Sequence, residues 1–207
     1  MEPLNAALAG LSERGQTGEQ RKVELELLPS GQPREIWDAR HGAAGFRQIN
    51  QAQNEKLQGW IIQHLRSPGA VLDLFGGDAN LSLGLSARVQ SIKVVDLGVP
   101  LDQNTPRPQN LTFHRSAVLP WLKKASGGAQ AAILDPPRAG LGRDFPAIER
   151  ELRRLGVKEV IAVGCDVDSW VRDVSAFGGN GWKLARVAYL DFFPQTPHIE
   201  CVAQLFV

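Results

Sequence analysis

Short apolar runs of the kind that form buried strands recur from residue 70 to the end of the chain. They span residues 70–75, 92–96, 111–113, 131–135, 159–165, 187–191 and 199–206. Helical spacing of apolar residues separates several of them, as in 145–155 and 169–177. Strands that alternate with helices form mostly parallel sheets through right-handed crossovers. The sequence therefore predicts an α/β doubly wound domain.

The connection between the last two apolar runs is unusually short. It consists of Phe192-Phe-Pro-Gln-Thr-Pro-His198, which is too short for a helical crossover. We therefore expect the last two strands to pair antiparallel. A mostly parallel sheet with an antiparallel terminal strand is characteristic of the Rossmann-like class I methyltransferase fold.

The first 40 residues have a different pattern from the remainder. Residues 1–20 show no sustained period and predict a weakly ordered lead-in. Residues 22–28 alternate polar and apolar side chains, 29–32 have turn composition and 34–38 can return as a second strand, which predicts a small N-terminal hairpin. We expect residues 1–40 to be a lead-in and hairpin, the remnant of a further domain, and residues 41–207 to be the main domain. A helix is expected over 51–65.

Charge and cysteine content limit the classes of function. The 207 residues include 23 Lys+Arg and 22 Asp+Glu, and a net charge of +1 gives no global attraction to nucleic acid. Two cysteines without clustered spacing predict neither a disulfide framework nor a zinc or iron–sulfur site, and favour a reducing compartment. There is no secretory signal, and no apolar run approaches the roughly 20 residues that cross a bilayer. We expect a cytoplasmic protein without membrane contact.

The first candidate site is the glycine-rich turn 73–80. Gly76 and Gly77 allow a ligand to approach the backbone, and Asn80 is expected to begin the following helix. Asp96 ends the next strand, where a carboxylate can accept hydrogen bonds from both ribose hydroxyls of a nucleoside cofactor. A tight turn without a ligand and a simple strand-end cap are the structural alternatives for these two features.

The segment Asp135-Pro-Pro-Arg138 is a more specific signal. Two consecutive prolines hold an extended turn rigid, so the neighbouring polar groups have fixed positions beside the cofactor crevice. Amino-methyltransferases of adenine and cytosine have an aromatic residue where Arg138 stands. The arginine therefore disfavours stacking of an exocyclic amine here.

Cys165 and Glu200 are the candidate thiol nucleophile and carboxylate base. A lone cysteine at a strand end is more often a small buried apolar residue, and a glutamate in a terminal strand is normally exposed. The turn before Glu200, with two prolines and His198, favours a positioned carboxylate, although His198 can equally serve only to orient the turn. Cys201 should point to the opposite side of its strand, into the core.

Together these motifs resemble the catalytic domain of the RNA uracil-5-methyltransferase family, which modifies transfer and ribosomal RNA. The similarity covers roughly residues 40–207, and its motifs lie at 46–50, 73–82, 135–140, 164–165 with 172–173, and 191–200. The resemblance implies Cys165 as nucleophile and Glu200 as base. It also implies an S-adenosylmethionine site, which together with the glycine-rich turn comprises Gln48, Phe75, Gly77, Asn80, Asp96 and Asp135.

The implied activity is methylation of carbon 5 of uridine in structured RNA through a covalent cysteine adduct. Substrate contacts are expected from Phe46, Arg138 and His198, with Phe46 able to stack on a flipped base or to pack in the core. A non-catalytic binding module, or a methyltransferase for another nucleobase or a small molecule, is the alternative. The sequence leaves the oligomeric state open.

The chain departs from the family pattern at several positions. Gly164-Cys-Asp-Val167 replaces the usual Ser-Cys-Asn-Pro, and we expect Asp166 and Asp168 to disfavour the thiolate unless Arg138, another cation or the following helix N-terminus compensates. Ala79 stands where glycine is usual. Some members carry an N-terminal RNA-binding domain and iron–sulfur cysteines; we expect neither here, and hence no iron–sulfur cluster. A basic segment either contacts RNA phosphates or is merely solvated: Arg143, Arg150, Arg153, Arg154 and Lys158.

Overall fold

The computed structural model describes the strands Val23–Leu27 and Pro33–Trp37 and residues 50–98, 107–196 and 198–207. The chain divides into two compact units, 1–44 and 45–207. In the first unit, β1 (Val23–Leu27) and β2 (Pro33–Trp37) pair antiparallel, with Leu25 opposite Glu35. This confirms the predicted strand pair. The boundary at residue 40 and the origin of the pair as a domain remnant stay predictions.

The second unit contains a seven-stranded sheet. Its strands in chain order are β3 (Ala70–Leu74), β4 (Ser91–Asp96), β5 (Leu111–Arg115), β6 (Ala131–Leu134), β7 (Glu159–Gly164), β8 (Lys183–Leu190) and β9 (Glu200–Phe206). The spatial order is β5-β4-β3-β6-β7-β9-β8, and β9 runs antiparallel to both of its neighbours. This topology confirms the predicted Rossmann-like class I methyltransferase fold.

Among the described residues, four α-helices accompany the sheet: α1 (Gln51–His64), α2 (Val118–Lys124), α3 (Phe145–Arg154) and α4 (Val167–Gly179). The side chain of Asn50 caps α1 and that of Asp166 caps α4, each accepting a backbone N–H three residues ahead. The helices predicted over 51–65, 145–155 and 169–177 are confirmed with small shifts of their ends. In the described part of the chain, no helix has the length and apolarity needed to span a membrane.

Alternating strand residues pack on two sides of the sheet. Val71, Ile133 and Ile161 belong to the core on the α1 side, together with Leu57 and Ile61 of the helix itself. Residues one position further along the strands join the opposite core, which includes the buried residues of α2, α3 and α4. This alternation decides which polar side chains share a face where the strands end.

The expectation that Asn80 begins a helix is wrong. Turns follow β3, and the next regular element is a short 3-10 helix, Leu83–Leu85. Ala79, directly before Asn80, has a φ of 70° in the left-handed region, and the N–H groups of Ser82, Leu85 and Ser86 bond to the residue three positions back, as in turns and 3-10 helices. Glycine, usual here in the resembling family, adopts this conformation without a Cβ penalty.

Candidate active site at the carboxyl edge of the sheet

Polar side chains converge where the parallel strands end. Asp73, Asp96 and Asp135 follow Val71, Val94 and Ile133 by two positions, so the strand alternation directs them to the α1 side of the sheet. Cys165 and Glu200 extend the same face, since Val163 and Val202 are core residues on that side. The sheet order changes direction between β3 and β6, and in open α/β sheets ligands bind at such a switch point.

Asp73 is fully buried in the middle of this edge. Its Oδ2 accepts a hydrogen bond from the Ser82 hydroxyl, whereas no group among the described residues bonds to its Oδ1. Burial raises the pKa of Asp73 to about 7, the Ser82 bond opposes this rise, and the charges of Asp96 and Asp78 add to it. Asp73 had no predicted role, although a carboxylate inside an apolar strand is a usable sequence signal.

The glycine-rich turn is fitted around this carboxyl group. A Cβ on Gly76 would lie 2.4 Å from Cγ of Asp73, so only glycine allows this approach. Phe75 has a φ of 64°, an uncommon conformation for a bulky residue. The backbone N–H of Gly77 donates to Oδ2 of Asp96 over 3.3 Å, which ties the turn to the end of β4.

The two oxygens of Asp96 are both engaged by backbone groups. Besides the bond from Gly77, Oδ1 accepts the N–H of Gly98 over 2.6 Å. The side chain is half-buried. Because a carboxylate oxygen accepts more than one hydrogen bond, the fixed Asp96 keeps acceptor capacity for ribose hydroxyls.

Asn80 is held by α1. Its amide exchanges two hydrogen bonds of 2.9 Å with the amide of Asn54, and Gln58 donates to both its backbone oxygen and its Oδ1 at 2.9 Å. The side chain predicted to contact the cofactor thus fastens the turn to the helix. The sequence analysis missed Asn54 and Gln58, whose polarity on α1 was the available signal.

Cys165 and Glu200 come from strands that pair directly. Gly164 of β7 lies opposite Cys201 of β9, so continuing the antiparallel register by one residue places Cys165 opposite Glu200. Glu200 is only 2% exposed because β9 lies between β7 and β8 rather than at an edge. Cys201 is fully buried in the other core, as predicted.

Burial and neighbouring charge shift the titration of this site. Burial, and then the charge of Asp135, raise the pKa of Glu200 to about 8. Burial, reinforced by Asp73 and Asp96, raises the pKa of half-buried Asp135 to about 7. A carboxyl group with such a pKa exchanges protons near neutral pH, as a general acid or base must.

The pKa of the Cys165 thiol is also raised, first by burial and then by the charges of Glu200 and Asp135, whereas Arg138 opposes the rise. The thiolate is therefore disfavoured, as expected, with burial, Glu200 and Asp135 as the main causes, and Arg138 compensates in part. Asp166 instead caps α4, and hydrogen bonds from Ser169 hold its pKa low. The charges that act on the thiol come from residues distant in sequence.

The remaining predicted residues have varied positions. Arg138 is exposed, and its charge acts on both Cys165 and Asp166. His198 is half-buried, with its ring edge-on to Phe193 at 6.2 Å between centroids. Phe46 and Gln48 lie outside the described residues. The roles assigned to all predicted site residues stay predictions.

The basic surface of α3 carries its own counter-charges. Arg153 forms an ion pair with Glu149, and Arg154 forms one with Glu151. Arg154 also donates to the backbone oxygen of Leu122 over 2.7 Å. These contacts favour the interpretation of α3 as a solvated helix over that of a phosphate-binding face.

Comparisons with known proteins give relatives of one kind. No protein-family model matches the chain. A Thermotoga maritima protein described as an uncharacterized RNA methyltransferase is 34% identical over 168 residues, covering 77% of this chain and 38% of the relative. The Pectobacterium atrosepticum 23S rRNA (uracil(1939)-C(5))-methyltransferase RlmD is 32% identical over 172 residues, covering 76% and 37%. The chain spans about two fifths of the length of these two curated relatives.

Solved structures agree in fold. The Pyrococcus abyssi tRNA (uracil-54, C5)-methyltransferase in complex with S-adenosyl-L-homocysteine gives a TM-score of 0.60 at 24% identity, over 91% of this chain and 44% of that one. A Burkholderia thailandensis 1,6-didemethyltoxoflavin-N1-methyltransferase gives 0.60 at 11% identity, over 76% and 79%. Over about three quarters of its length the chain is thus similar in sequence to RNA uracil-5-methyltransferases, and its sheet order is that of the class I methyltransferase fold.

Proposed function

We propose that this protein methylates carbon 5 of uridine in structured RNA, with S-adenosylmethionine as methyl donor and Cys165 as covalent nucleophile. The observation that carries the proposal is the register of β7 and β9, which sets the thiol opposite the buried carboxyl group of Glu200. The names of the curated relatives, among them a 23S rRNA uracil-C5-methyltransferase, support the reaction and the RNA substrate.

The residues at the switch point fit S-adenosylmethionine. Open space lies beside Gly77 in the glycine-rich turn, and the fixed carboxylate of Asp96 has acceptor capacity for ribose hydroxyls. The buried Oδ1 of Asp73, which has no partner among the described residues, lies close to Gly76 of the turn. Gln48, Phe75, Asn80 and Asp135 complete the proposed site. When bound there, S-adenosylmethionine supplies an electrophilic methyl group.

Covalent activation is needed because carbon 5 of uracil is a weak nucleophile. The Cys165 thiolate adds to carbon 6, and the electron pair of the carbon 5–carbon 6 double bond moves into an enolate. Carbon 5 would then bond to the methyl group as its bond to the sulfonium sulfur of the donor breaks, which would leave S-adenosylhomocysteine. The Glu200 carboxylate removes the proton from carbon 5, the double bond re-forms, and the sulfur–carbon 6 bond breaks to release the thiolate.

The target base must reach the thiol from an RNA structure. A nucleotide in a stem has to leave its stack before its ring can contact Cys165. We propose that Phe46 stacks on the base while Arg138 and His198 bind its polar edge or the adjoining backbone. The exposure of Arg138 and the half-buried position of His198 beside the Glu200 segment are compatible with these roles.

The decisive test is adduct trapping. Protein, labelled methyl donor and RNA containing 5-fluorouridine should give a covalent protein–RNA complex, because fluorine at carbon 5 cannot leave as a proton. Cys165→Ala should abolish the adduct, whereas Cys201→Ala should retain it because the Cys201 side chain lies in the core. Methylation of uridine that survives Cys165→Ala unchanged would exclude the covalent route.

The raised pKa of the Cys165 thiol is the observation that favours the alternative, a non-catalytic binding module. Such a module and an enzyme differ in the binding of the methyl donor. We expect S-adenosylhomocysteine to raise the melting temperature and to release heat in calorimetric titration. Neither signal at millimolar ligand would favour the non-catalytic alternative.

A further inference from the structure

Three side chains of α4 form hydrogen bonds with the backbone of the loop that carries Arg138. The hydroxyl of Ser169 donates to the backbone oxygen of Arg138 over 2.7 Å, and Arg172 donates to the backbone oxygen of Ala139 over 2.6 Å. The carboxylate of Asp173 accepts the backbone N–H of Leu141 over 2.6 Å. Consecutive turns of one helix thus bind consecutive peptide groups of one loop.

The backbone conformation of the loop allows this close approach to α4. Gly140 has a φ of 70°, and a Cβ there would lie 2.4 Å from Oδ2 of Asp173. Ser169 and Asp173 are each only 7% exposed. A small cavity of about 10 Å³ between the loop and α4 is lined by both Arg138 and Cys165, as well as by Ser169 and Asp173. The contact is therefore tight as well as hydrogen-bonded.

The same helix begins directly after the candidate nucleophile. Asp166, the residue after Cys165, caps α4 through its bond to the N–H of Ser169. The thiol and the loop are consequently fixed to one rigid element. We propose that Ser169, Arg172 and Asp173 are positioning residues that keep Arg138 at the cavity that it shares with Cys165, close enough for its charge to act on the thiol. The inference rests on the proposed function where it treats Cys165 as the nucleophile.

Loosening the loop should affect Arg138 more than its neighbours. The charged groups that act on the thiol are Glu200 of β9, Asp135 directly after β6, and Arg138 in the loop that follows. Asp135 is anchored by its backbone N–H, which bonds to Leu74 of β3 over 3.3 Å. Arg138 lies three residues further along, in the loop that α4 holds by hydrogen bonds. If Arg138 moves away from the thiol, the negative charges of Asp135 and Glu200 are unopposed.

The test is the pH profile of Cys165 alkylation by iodoacetamide, followed by peptide mass spectrometry on the whole protein. Ser169→Ala and Asp173→Ala should each shift the profile upward by about half a pKa unit or more, which lowers the rate at pH 8 about threefold. Asp173→Asn keeps an acceptor for the Leu141 N–H and should restore most of the wild-type profile. Cys201 should stay unlabelled in folded protein and reports unfolding.

Two comparisons separate positioning from a general structural effect. Ser175→Ala changes an exposed residue of the same helix and should leave the profile unchanged. Arg138→Ala should itself shift the profile upward, and Ser169→Ala added to it should cause no further shift. Wild-type profiles for Ser169→Ala and Asp173→Ala, or full additivity with Arg138→Ala, would overturn the inference. Alkylation needs neither RNA nor methyl donor. Its result therefore tests the positioning of Arg138 even if the 5-fluorouridine adduct does not form.

Discussion

Cys165 directly follows β7 and Glu200 opens β9, and the pairing of Gly164 with Cys201 brings the two residues to the same end of an antiparallel strand pair. Both side chains lie on the α1 side of the sheet, and the charge of Glu200 acts on the thiol. An ionised Glu200 disfavours the thiolate, yet the proposed reaction needs both groups ionised. Reactions that depend on the pair should therefore vary with pH, and replacing Glu200 should show how much of this variation comes from its carboxylate.

Replacing Glu200 by Gln should make the thiol more reactive. Below about pH 8 the Glu200 carboxyl is largely protonated in the wild type, so the variant should alkylate at a similar rate there. At pH 9 the wild-type carboxylate opposes thiolate formation, and the variant should react faster with iodoacetamide. Equal alkylation rates for the two proteins at pH 9 would show that the groups do not interact.

The same substitution should impair the proposed reaction. Without a carboxylate to accept the carbon 5 proton, release of tritium from RNA labelled at that carbon should fall by roughly 10²–10⁴-fold. Leu205→Met, a volume-conserving change in the core on the other side of the sheet, should retain the wild-type rate and serves as the control. Wild-type tritium release by Glu200→Gln would rule out Glu200 as the base.

Proton release by the wild type should increase as pH rises through about 8, because a carboxyl group with a raised pKa is a base only above it. Ionisation of the Cys165 thiol, whose pKa is also raised, should extend the increase to higher pH. Asp135→Asn removes a charge that raises the pKa of Glu200, so the rise in proton release should begin at lower pH. The measurement is single-turnover tritium release from pH 6 to 9, and a flat profile would contradict the assignment.

The buried carboxyl of Asp73 should make stability depend on pH. Its pKa is raised from 3.8 to about 7, so the folded state binds the proton more tightly than the unfolded chain. The contribution to stability is complete below about pH 4 and is lost as pH rises through 7. A shift of roughly three pKa units corresponds to about 4 kcal/mol at most.

Asp73→Asn should therefore stabilise the protein at pH 8 and have little effect at pH 4.5. We expect a gain of roughly 1–3 kcal/mol at pH 8, reduced because the new amide N–H₂ needs a partner. Urea unfolding at both pH values measures the difference. Asp144→Asn, which alters an exposed carboxylate, is the control and should change little. A variant less stable than wild type at pH 8 would contradict the cost assigned to burial.

Local patterns were sufficient to predict much of the fold. Each strand from β3 to β9 forms where an apolar run occurs, and the short link after Leu190 forces β9 to reverse. Insertion of β9 between β7 and β8 was not predictable, because it depends on pairing between Val163 and Val202, which are distant in sequence. That insertion is what buries Glu200.

The candidate site was predictable in its residues and less so in their contacts. The alternation that directs Asp73, Asp96 and Asp135 to one face is local and follows from the sequence. The hydrogen bonds that fix the site are not local, as with Asn80, whose amide meets α1, and Asp173, whose carboxylate meets the Leu141 N–H. Helix patterns identified α1 and α4 without revealing which polar side chains would face a loop.

The amide pair between Asn54 and Asn80 should control the geometry of the glycine-rich turn. Asn54→Ala removes both exchanged hydrogen bonds and leaves the Asn80 amide N–H₂ without that partner, at a cost of about 1–2 kcal/mol in stability. Because Asn54 lies on α1, reduced affinity for S-adenosylhomocysteine would act through the turn. We expect calorimetric titration to show weaker binding by Asn54→Ala, with wild-type affinity for Gln63→Ala, an exposed position on the same helix.

In a double-mutant cycle the effects of Asn54→Ala and Asn80→Ala on the free energy of unfolding should be non-additive by roughly 0.5 kcal/mol or more. Additive effects on unfolding, or unchanged affinity in Asn54→Ala, would show that the turn holds its shape without α1.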